Sequence, residues 1–312
     1  MNFGLIGTIT YDEISFESGQ RISGLGGVLY QASVLCGLGK KVFLHTHLGE
    51  ELVKDVTQLV KEWSTLQKKG VRRVPGPGNR VHLHYPEKGE RVEVLESVVP
   101  PLDPGPIIED LPELGMLILV INSGYDIQLS HWRDIVESAS CPIWIDVHSL
   151  SLSRGLNVPR KYIPLGEWKQ WAKGVSFLQA NVKEVASMLS APDDVPSEAD
   201  LSRFGEKAFE LGVKAVFVTL GKEGVLVLKR ERSLKIAGLQ AGRVVDTTGC
   251  GDVFCGGAVV KLASGKDPFD AARYGLELAT QAVEVKGIEE TFRIARKCRE
   301  PEKLTGRNRK RK

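Results

Sequence analysis

The chain has 312 residues, 42% hydrophobic and 26% charged, the balance of a soluble globular protein with enough chain for one large domain or two small ones. Its longest apolar run, MLILVI at 116–121, is far short of the roughly 20 residues that a bilayer-spanning helix needs, and the opening MNFGLIGTI has no basic leader region, so the expectation is a cytoplasmic protein without a membrane partner. The formal charge of +3 sits at one end: five of the last six residues, RNRKRK, are basic, which leaves a near-neutral body with no whole-surface argument for nucleic acid.

In chain order, NFGLIGT (2–8) reads as a strand and GGVLYQASVLCGLG (26–39) as a helix closing at a glycine. KVFLHTHLG (41–49) is a strand, and EELVKDVTQLVKEW (50–63) is a helix with apolar residues three and four apart. MLILVINSG, PIWIDVHS and KAVFVTLG (214–221) read as buried strands ending in polar residues, and GVLVLK follows after a glycine turn. Buried apolar strands separated by helices predict a doubly wound, mostly parallel α/β sheet covered by helices on both faces. Two stretches depart from this. EISFESGQRIS (13–23) and RVHLHYPEKGERVEVL (80–95), the second turning at EKGE, alternate apolar and polar residues. They predict a small antiparallel sheet with one wet face, serving as a lid or as a plain edge extension. PPLDPGPIIEDLPELG (100–115) is the one linker-like stretch, and APDDVPSEA (191–199) a polar loop before the next helix. The expected organisation is one domain over 1–298 and a basic, disordered tail over 299–312, the single place where nucleic acid contact is conceivable. The five scattered cysteines contain no CxxC pair, which suits reduced thiols.

In open α/β sheets ligands bind beyond the carboxyl ends of the strands. Asp12, Asn122, Ser123, Asp146, His148, Asn181, Thr219 and the loop 246–252 occupy such positions. The most informative stretch is DTTGCGDVFCGGAVVKLASG, which reads as a loop followed by a buried helix that stops at Gly265. Glycines before a helix start make a site for phosphate. Asp252, in the first turn, would then be placed to take a proton from an attacking hydroxyl. Local chemistry alone leaves helix capping as an equal alternative.

The motif DTTGCGD resembles the D-T-x-G-A-G-D signature of the ribokinase-like (PfkB) carbohydrate kinases, with Cys250 where that family has alanine. The resemblance implies a ribokinase-like fold and a phosphotransferase using ATP and Mg²⁺. Asp252 would be its general base, and the backbone of Gly249, Cys250 and Gly251 its anion hole. It implies a monovalent cation, K⁺, near Asp246 and Thr248. Weaker motifs follow in the family's order. Gly7 and Asp12 (GTITYD) have the spacing of its sugar-gripping aspartate, and a carboxylate can accept both hydroxyls of a vicinal diol. Gly26 and Gly27 match the pair that opens a helix, and Gln31 stands where the family carries a substrate-binding asparagine. Asn181 and Glu184 (ANVKE) resemble the N-x-x-E motif, with Glu184 holding Mg²⁺ through water, though a capping box looks the same. VTLGKEG resembles the nucleotide strand and turn, which assigns Thr219, Gly221 and Gly224 to the nucleotide. The match runs from residue 7 to about 287. The family's lids often pair between subunits, which implies a homodimer through the lid.

The implied activity is phosphorylation of a hydroxyl, a primary one, on a sugar, polyol or nucleoside. Two alternatives stay open: a non-catalytic sugar or nucleotide sensor on the same fold, and a nucleoside kinase in place of a sugar kinase. Other classes fail on their motifs. GLGGVL (24–29) lacks the last glycine of a dinucleotide fingerprint, and none of the three Gly-Lys pairs is followed by Ser or Thr as a Walker motif requires. The histidine pairs 45/47 and 82/84 lack a third metal ligand; as lid residues, His82 and His84 are placed close to substrate.

Overall fold

The computed structural model describes residues 1–87 and 91–299. The EKGE turn beyond Glu87 and the tail beyond Arg299 lie outside the described residues. The chain opens with β1 (Asn2–Ile6), crosses to β2 (Ile9–Phe16) and β3 (Arg21–Gly27), and returns through α1 (Leu29–Gly37) to β4 (Lys41–Gly49). After α2 (Val53–Leu59) come β5 (Leu66–Gln67), β6 (Val71–Val74), β7 (Asn79–Tyr85) and β8 (Val92–Ser97). Next are α3 (Gly105–Asp110), β9 (Met116–Val120), α4 (Leu129–Ser138), β10 (Ile143–Asp146), α5 (Trp168–Ala172) and β11 (Phe177–Asn181). Then follow α6 (Val182–Met188), α7 (Glu198–Glu210) and the meander β12 (Ala215–Thr219), β13 (Gly224–Leu228) and β14 (Ser233–Ala237). Three helices close the fold: α8 (Cys250–Ala263), α9 (Pro268–Val283) and α10 (Gly287–Lys297).

One ten-stranded sheet runs in the order β14-β13-β12-β11-β10-β9-β1-β4-β5, with β6 also on β4. It is parallel from β5 to β12, and only the β12–β13 and β13–β14 pairs are antiparallel. Alternate side chains of these strands enter two separate cores. Phe3, Leu5, Met116 and Ile118 face α1, α8, α9 and α10, while Ile6, Leu117 and Leu119 face the layer of α3 to α7. Burial on both faces explains why the strands read as unbroken apolar runs. The small-residue run in α8 has a packing cause: a methyl on Gly256 would come within 2.8 Å of Val34, and one on Gly257 within 3.0 Å of Gly275. The helix is squeezed between α1 and α9, so its N-terminus is held rigidly.

The second sheet has the order β3-β2-β7-β8. Two antiparallel pairs flank a parallel β2–β7 contact, because the chain passes through α1 to β6 between those two strands. Ile14, Val81, Leu83 and Leu95 form its apolar face. The other face carries ion pairs, among them His82–Glu96 at 2.6 Å and Arg80–Glu51 at 3.0 Å.

Some boundaries differ from expectation. The helix expected over 50–63 is α only at 53–59, with 3₁₀ turns on either side. Gly26 and Gly27 end β3 instead of opening a helix, which starts at Leu29. The linker-like 100–115 contains α3, since its Ile107 and Leu111 have a core to enter. No helix among the described residues is long and apolar enough to cross a membrane.

Candidate active site

The ends of β9, β10, β11 and β12, the inner face of the small sheet and the start of α8 enclose a cavity of about 280 Å³. Its floor is Thr247–Asp252, where Gly249 (φ 74°) turns the chain into α8. A side chain at 249 would be strained, and its Cβ would lie 2.5 Å from the Tyr30 ring. Gly249→Ala is therefore expected to destabilise the protein by about 1–2 kcal/mol through the left-handed backbone alone. Because the displaced segment is the cavity floor, thermal melts and turnover should fall together.

Asp252 lies in the first turn of α8, half-buried. One of its oxygens, Oδ1, accepts a hydrogen bond from Gln31 Nε2. Burial pushes its carboxyl up to about 6, outweighing the opposing pull of His148 and of the Gln31 bond. Asp12, on β2, reaches the same cavity, and burial likewise raises it to about 6. A Cβ at Gly26 would collide with the Asp12 carboxylate; that glycine makes room for the acid, while Gly27 (φ 61°) lines the cavity itself.

Asn181 caps α6 in a reciprocal box with Glu184, accepting from Glu184 N at 2.9 Å while Glu184 Oε2 accepts from Asn181 N at 2.7 Å. The other Glu184 oxygen takes Asn181 Nδ2 at 2.6 Å and His148 Nδ1 at 3.4 Å. Asn181 lines the cavity, but Glu184, only 3% exposed, stands behind it with both oxygens occupied. Its donor set fits magnesium through water and not by direct ligation. Asp146 lines the cavity between these groups, its carboxyl held well above the usual range by burial, and accepts Gln179 Nε2 at 2.8 Å. The same Nε2 also donates to Gly251 O at 3.1 Å, tying β11 to the floor. Asp246 Oδ1 accepts Thr248 N at 2.8 Å and braces the loop from outside. Among the described residues no group of three His, Cys, Asp or Glu side chains is arranged to hold a metal.

A second, larger cleft of about 790 Å³ shares Thr219, Thr247, Cys250 and Gly251 with the first. Gly221 and Gly224, at the β12–β13 turn, form one side of it, and Phe254, Leu276, Ala279 and Val283 another. Leu239 and Val244, also on its wall, are 51% and 67% exposed, an apolar surface with room for a flat base.

Most of the residues singled out from sequence thus converge. Asp12, Gly27, Asn181, Thr219, Thr248, Gly249, Cys250, Gly251 and Asp252 line the smaller cavity, whereas Gly26, Gln31, Glu184 and Asp246 support it from behind. His82 and His84 do not approach it. The two-residue period of β7 turns Val81 and Leu83 inward and sends the histidines to the outer face, against Glu96 and Glu17. Gln31 is fully buried and outside the cavity wall; its partner is Asp252. Its amide occupies one carboxylate oxygen of Asp252, Oδ1. Hydrogen bonds to charged groups are worth about 1.5–3 kcal/mol, so Gln31→Leu is expected to reduce turnover about 10–100-fold. The acid limb of the pH–rate profile should move upward, because the lost bond favoured the ionised form. A merely structural glutamine would leave that limb in place. Thr10, Tyr30, Arg91, Glu93, Asn122, Asp146 and His148 complete the wall. Asn122, Asp146 and His148 were legible as polar residues at strand ends; Arg91 and Glu93 had no comparable signal.

An α/β body with a glycine-flanked helix start between two clefts, and an acid at their junction, is an arrangement that can receive a phosphate group beside a proton acceptor. Comparison with known proteins adds the following. The sequence model described as "pfkB family carbohydrate kinase" matches residues 155–294. A cytidine kinase of Thermococcus kodakarensis is 25% identical over 91% of this chain and 96% of its own length. A ribokinase of Arabidopsis thaliana is 29% identical over 49% of this chain, which spans only 36% of that protein. Among solved structures, the ribokinase of Giardia lamblia superposes with a TM-score of 0.77 at 17% identity, covering 95% of this chain and 98% of its own; at that identity it shows the fold. Residues 155–294 thus resemble the PfkB family of carbohydrate kinases, and the whole chain shares the ribokinase fold of the solved structures.

Proposed function

We propose that the protein transfers the γ-phosphoryl group of ATP to a hydroxyl, a primary one, of a sugar, polyol or nucleoside. The observation that carries this reading is the place of Asp252, at the start of α8, where the two clefts share the wall Thr219, Thr247, Cys250 and Gly251. The acceptor enters the smaller cavity and the nucleotide the larger, whose apolar walls favour a nucleotide donor over pyrophosphate. Asp252 takes the hydroxyl proton as the oxygen forms its bond to the γ-phosphorus. The bond from that phosphorus to the bridging oxygen breaks, and ADP leaves. Gly249, Cys250 and Gly251 present backbone at the helix start, where the dipole favours the charge in transfer. Thr219, Gly221 and Gly224 hold the nucleotide. A magnesium ion would supply charge neutralisation between the phosphates, held through water by Glu184 and Asn181, with a potassium ion braced near Asp246 and Thr248. Asp12 grips acceptor hydroxyls. Residues 1–298 act as one domain, with 13–23 and 80–95 as a lid that keeps competing water out and offers a face for a dimer. The five unpaired thiols suit a cytoplasmic setting.

The test is ADP release from ATP and Mg²⁺ across a panel of sugars, polyols and nucleosides. Acceptor-dependent release is expected. ATP binding without release for any acceptor would point to a sensor.

A further inference from the structure

Arg160 lines neither cavity, yet the walls of the smaller one rest on it from behind. It closes a short loop whose ends are joined by Ser153 N on Lys161 O at 2.9 Å and Lys161 N on Ser153 Oγ at 3.1 Å, so the loop is rooted in the body beyond β10. From there the loop docks along β8 of the small sheet, with Asn157 N on Leu95 O and Arg160 N on Glu93 O, both at 2.8 Å. The Arg160 side chain is 0% exposed, and all five of its N–H groups are used. Nη1 donates to Glu93 Oε1 at 2.9 Å and Ser149 Oγ at 3.3 Å, Nη2 to Ser123 O at 3.1 Å and Ser149 O at 3.2 Å, and Nε to Ser153 O at 2.9 Å. Glu93 is the small sheet's own wall residue, while Ser123 and Ser149 directly follow the wall residues Asn122 and His148, beyond β9 and β10. Ser149 Oγ extends the connection by donating to Asn122 O at 2.8 Å. One buried guanidinium therefore joins the small sheet to the two strand ends of the body that face it.

The small sheet has another anchor, at its root. Asp126, 0% exposed, accepts from Thr8 N and Oγ1, where the chain enters β2, and from the backbone of Asn122, Ser123 and Gly124. Thr8 Oγ1 in turn accepts Asn79 Nδ2 at 2.6 Å, at the start of β7, and Asn79 Oδ1 accepts Val99 N at 2.6 Å, just past β8. This knot fixes one end of the sheet, and an anchor at one end alone leaves a sheet free to tilt. A further tie, Arg80–Glu51 at 3.0 Å, has side chains 23% and 58% exposed, and ion pairs open to water contribute little. Arg160 supplies a second buried anchor, part-way along β8. Resting on the kinase reading above, we propose that Arg160 is a positioning residue: through Glu93 it holds the small sheet, and with it Asp12, in place across the cavity from Asp252 and keeps water out of the space between.

The experiment uses the full chain and Arg160→Lys, which leaves a positive charge beside Glu93 but cannot span the bonds of the planar fork. Removing the charge as well would leave Glu93 buried and unpaired, a strongly destabilising change, so Arg160→Met is made only together with Glu93→Gln. The acceptor is the member of the panel above that turns over fastest. In Arg160→Lys its KM is expected to rise about 10–100-fold, the equivalent of one lost hydrogen bond to a charged group, with the ATP dissociation constant unchanged. Acceptor-independent ATP hydrolysis should rise about tenfold relative to acceptor phosphorylation, because water then reaches the site. The double variant should show the same split, enlarged. Amide hydrogen exchange reads the anchor without activity: the amides of β8, Asn157 and Arg160 should exchange about tenfold faster or more in either variant, while those of β9 and β10 keep the wild-type rate. Faster exchange in β8 with wild-type KM and hydrolysis would overturn the positioning role, as would wild-type exchange throughout. So would lost protection across β9 and β10 with equal losses for ATP and acceptor, or failure of both variants to fold, since these mark a residue that only stabilises. If no acceptor gives ADP in the wild type, the kinase reading falls separately. Exchange that quickens in β8 and 156–160 alone then still supports the second anchor, and uniform or unchanged exchange overturns it.

Discussion

Asp252→Asn is expected to lower turnover by about 10²–10⁴-fold, the range for loss of a positioned general base, while the fold and nucleotide binding survive. Asparagine has the same shape, and its oxygen can still accept the Gln31 amide that holds Asp252 in place. What disappears is the ability to take a proton. In the wild type, burial raises this carboxyl to about 6, so kcat/KM should climb as pH rises through about 6 and level off above. The variant's residual rate should lack that limb. The same shift has a sign for stability. A carboxyl with a folded pKa of about 6 against an ordinary 3.8 binds protons more readily in the folded state. Its cost is absent below the lower value, grows between the two, and is complete above the higher one. Asp252→Asn should therefore raise Tm at pH 7.5 and leave it unchanged near pH 3.5. Near-normal turnover in the variant, at unchanged Tm, would remove Asp252 from the chemistry and leave it a helix-start residue.

How far the site was legible depended on how local its causes were. The floor could be read directly because one short stretch supplies the glycines, the helix start and the acid. Asp146 and His148 were visible as polar residues closing an apolar strand. Gln31 was placed on the right helix, but its partner is 221 residues away, and helix phase alone cannot tell a cavity wall from a support behind it. For the lid, alternation revealed two faces without saying which one looks inward; the register Asp12↔Val81 and Ile14↔Leu83 settles that Val81 and Leu83 face the cavity and the histidines do not. Glu93 and Arg160 were beyond reach. They read as ordinary surface charges, and only the docking of residues 156–160 along β8, with Asn157 N on Leu95 O and Arg160 N on Glu93 O, both at 2.8 Å, buries them together.

Asp12→Ala is expected to reduce kcat/KM for the acceptor by about 10²–10⁴-fold, since a carboxylate that accepts two hydroxyls makes two bonds worth about 1.5–3 kcal/mol each. The ATP dissociation constant should be unchanged, because Asp12 lines only the smaller cavity. The loss should fall mainly on KM, as for a contact made equally in the ground and transition states. Asp12→Asn separates charge from shape: it keeps one accepting oxygen and replaces the other with a donor, so it should lie between wild type and alanine. Stability supplies the control. Burial holds this acid at about 6, so its ionised form opposes folding at neutral pH, and neither substitution should lower Tm through lost charge. If Asp12 were instead a structural brace of β2, alanine would lower Tm and weaken ATP and acceptor alike. Equal losses for the two ligands would reject the acceptor-binding role, whereas a KM effect confined to the acceptor would locate recognition on the inner face of the lid.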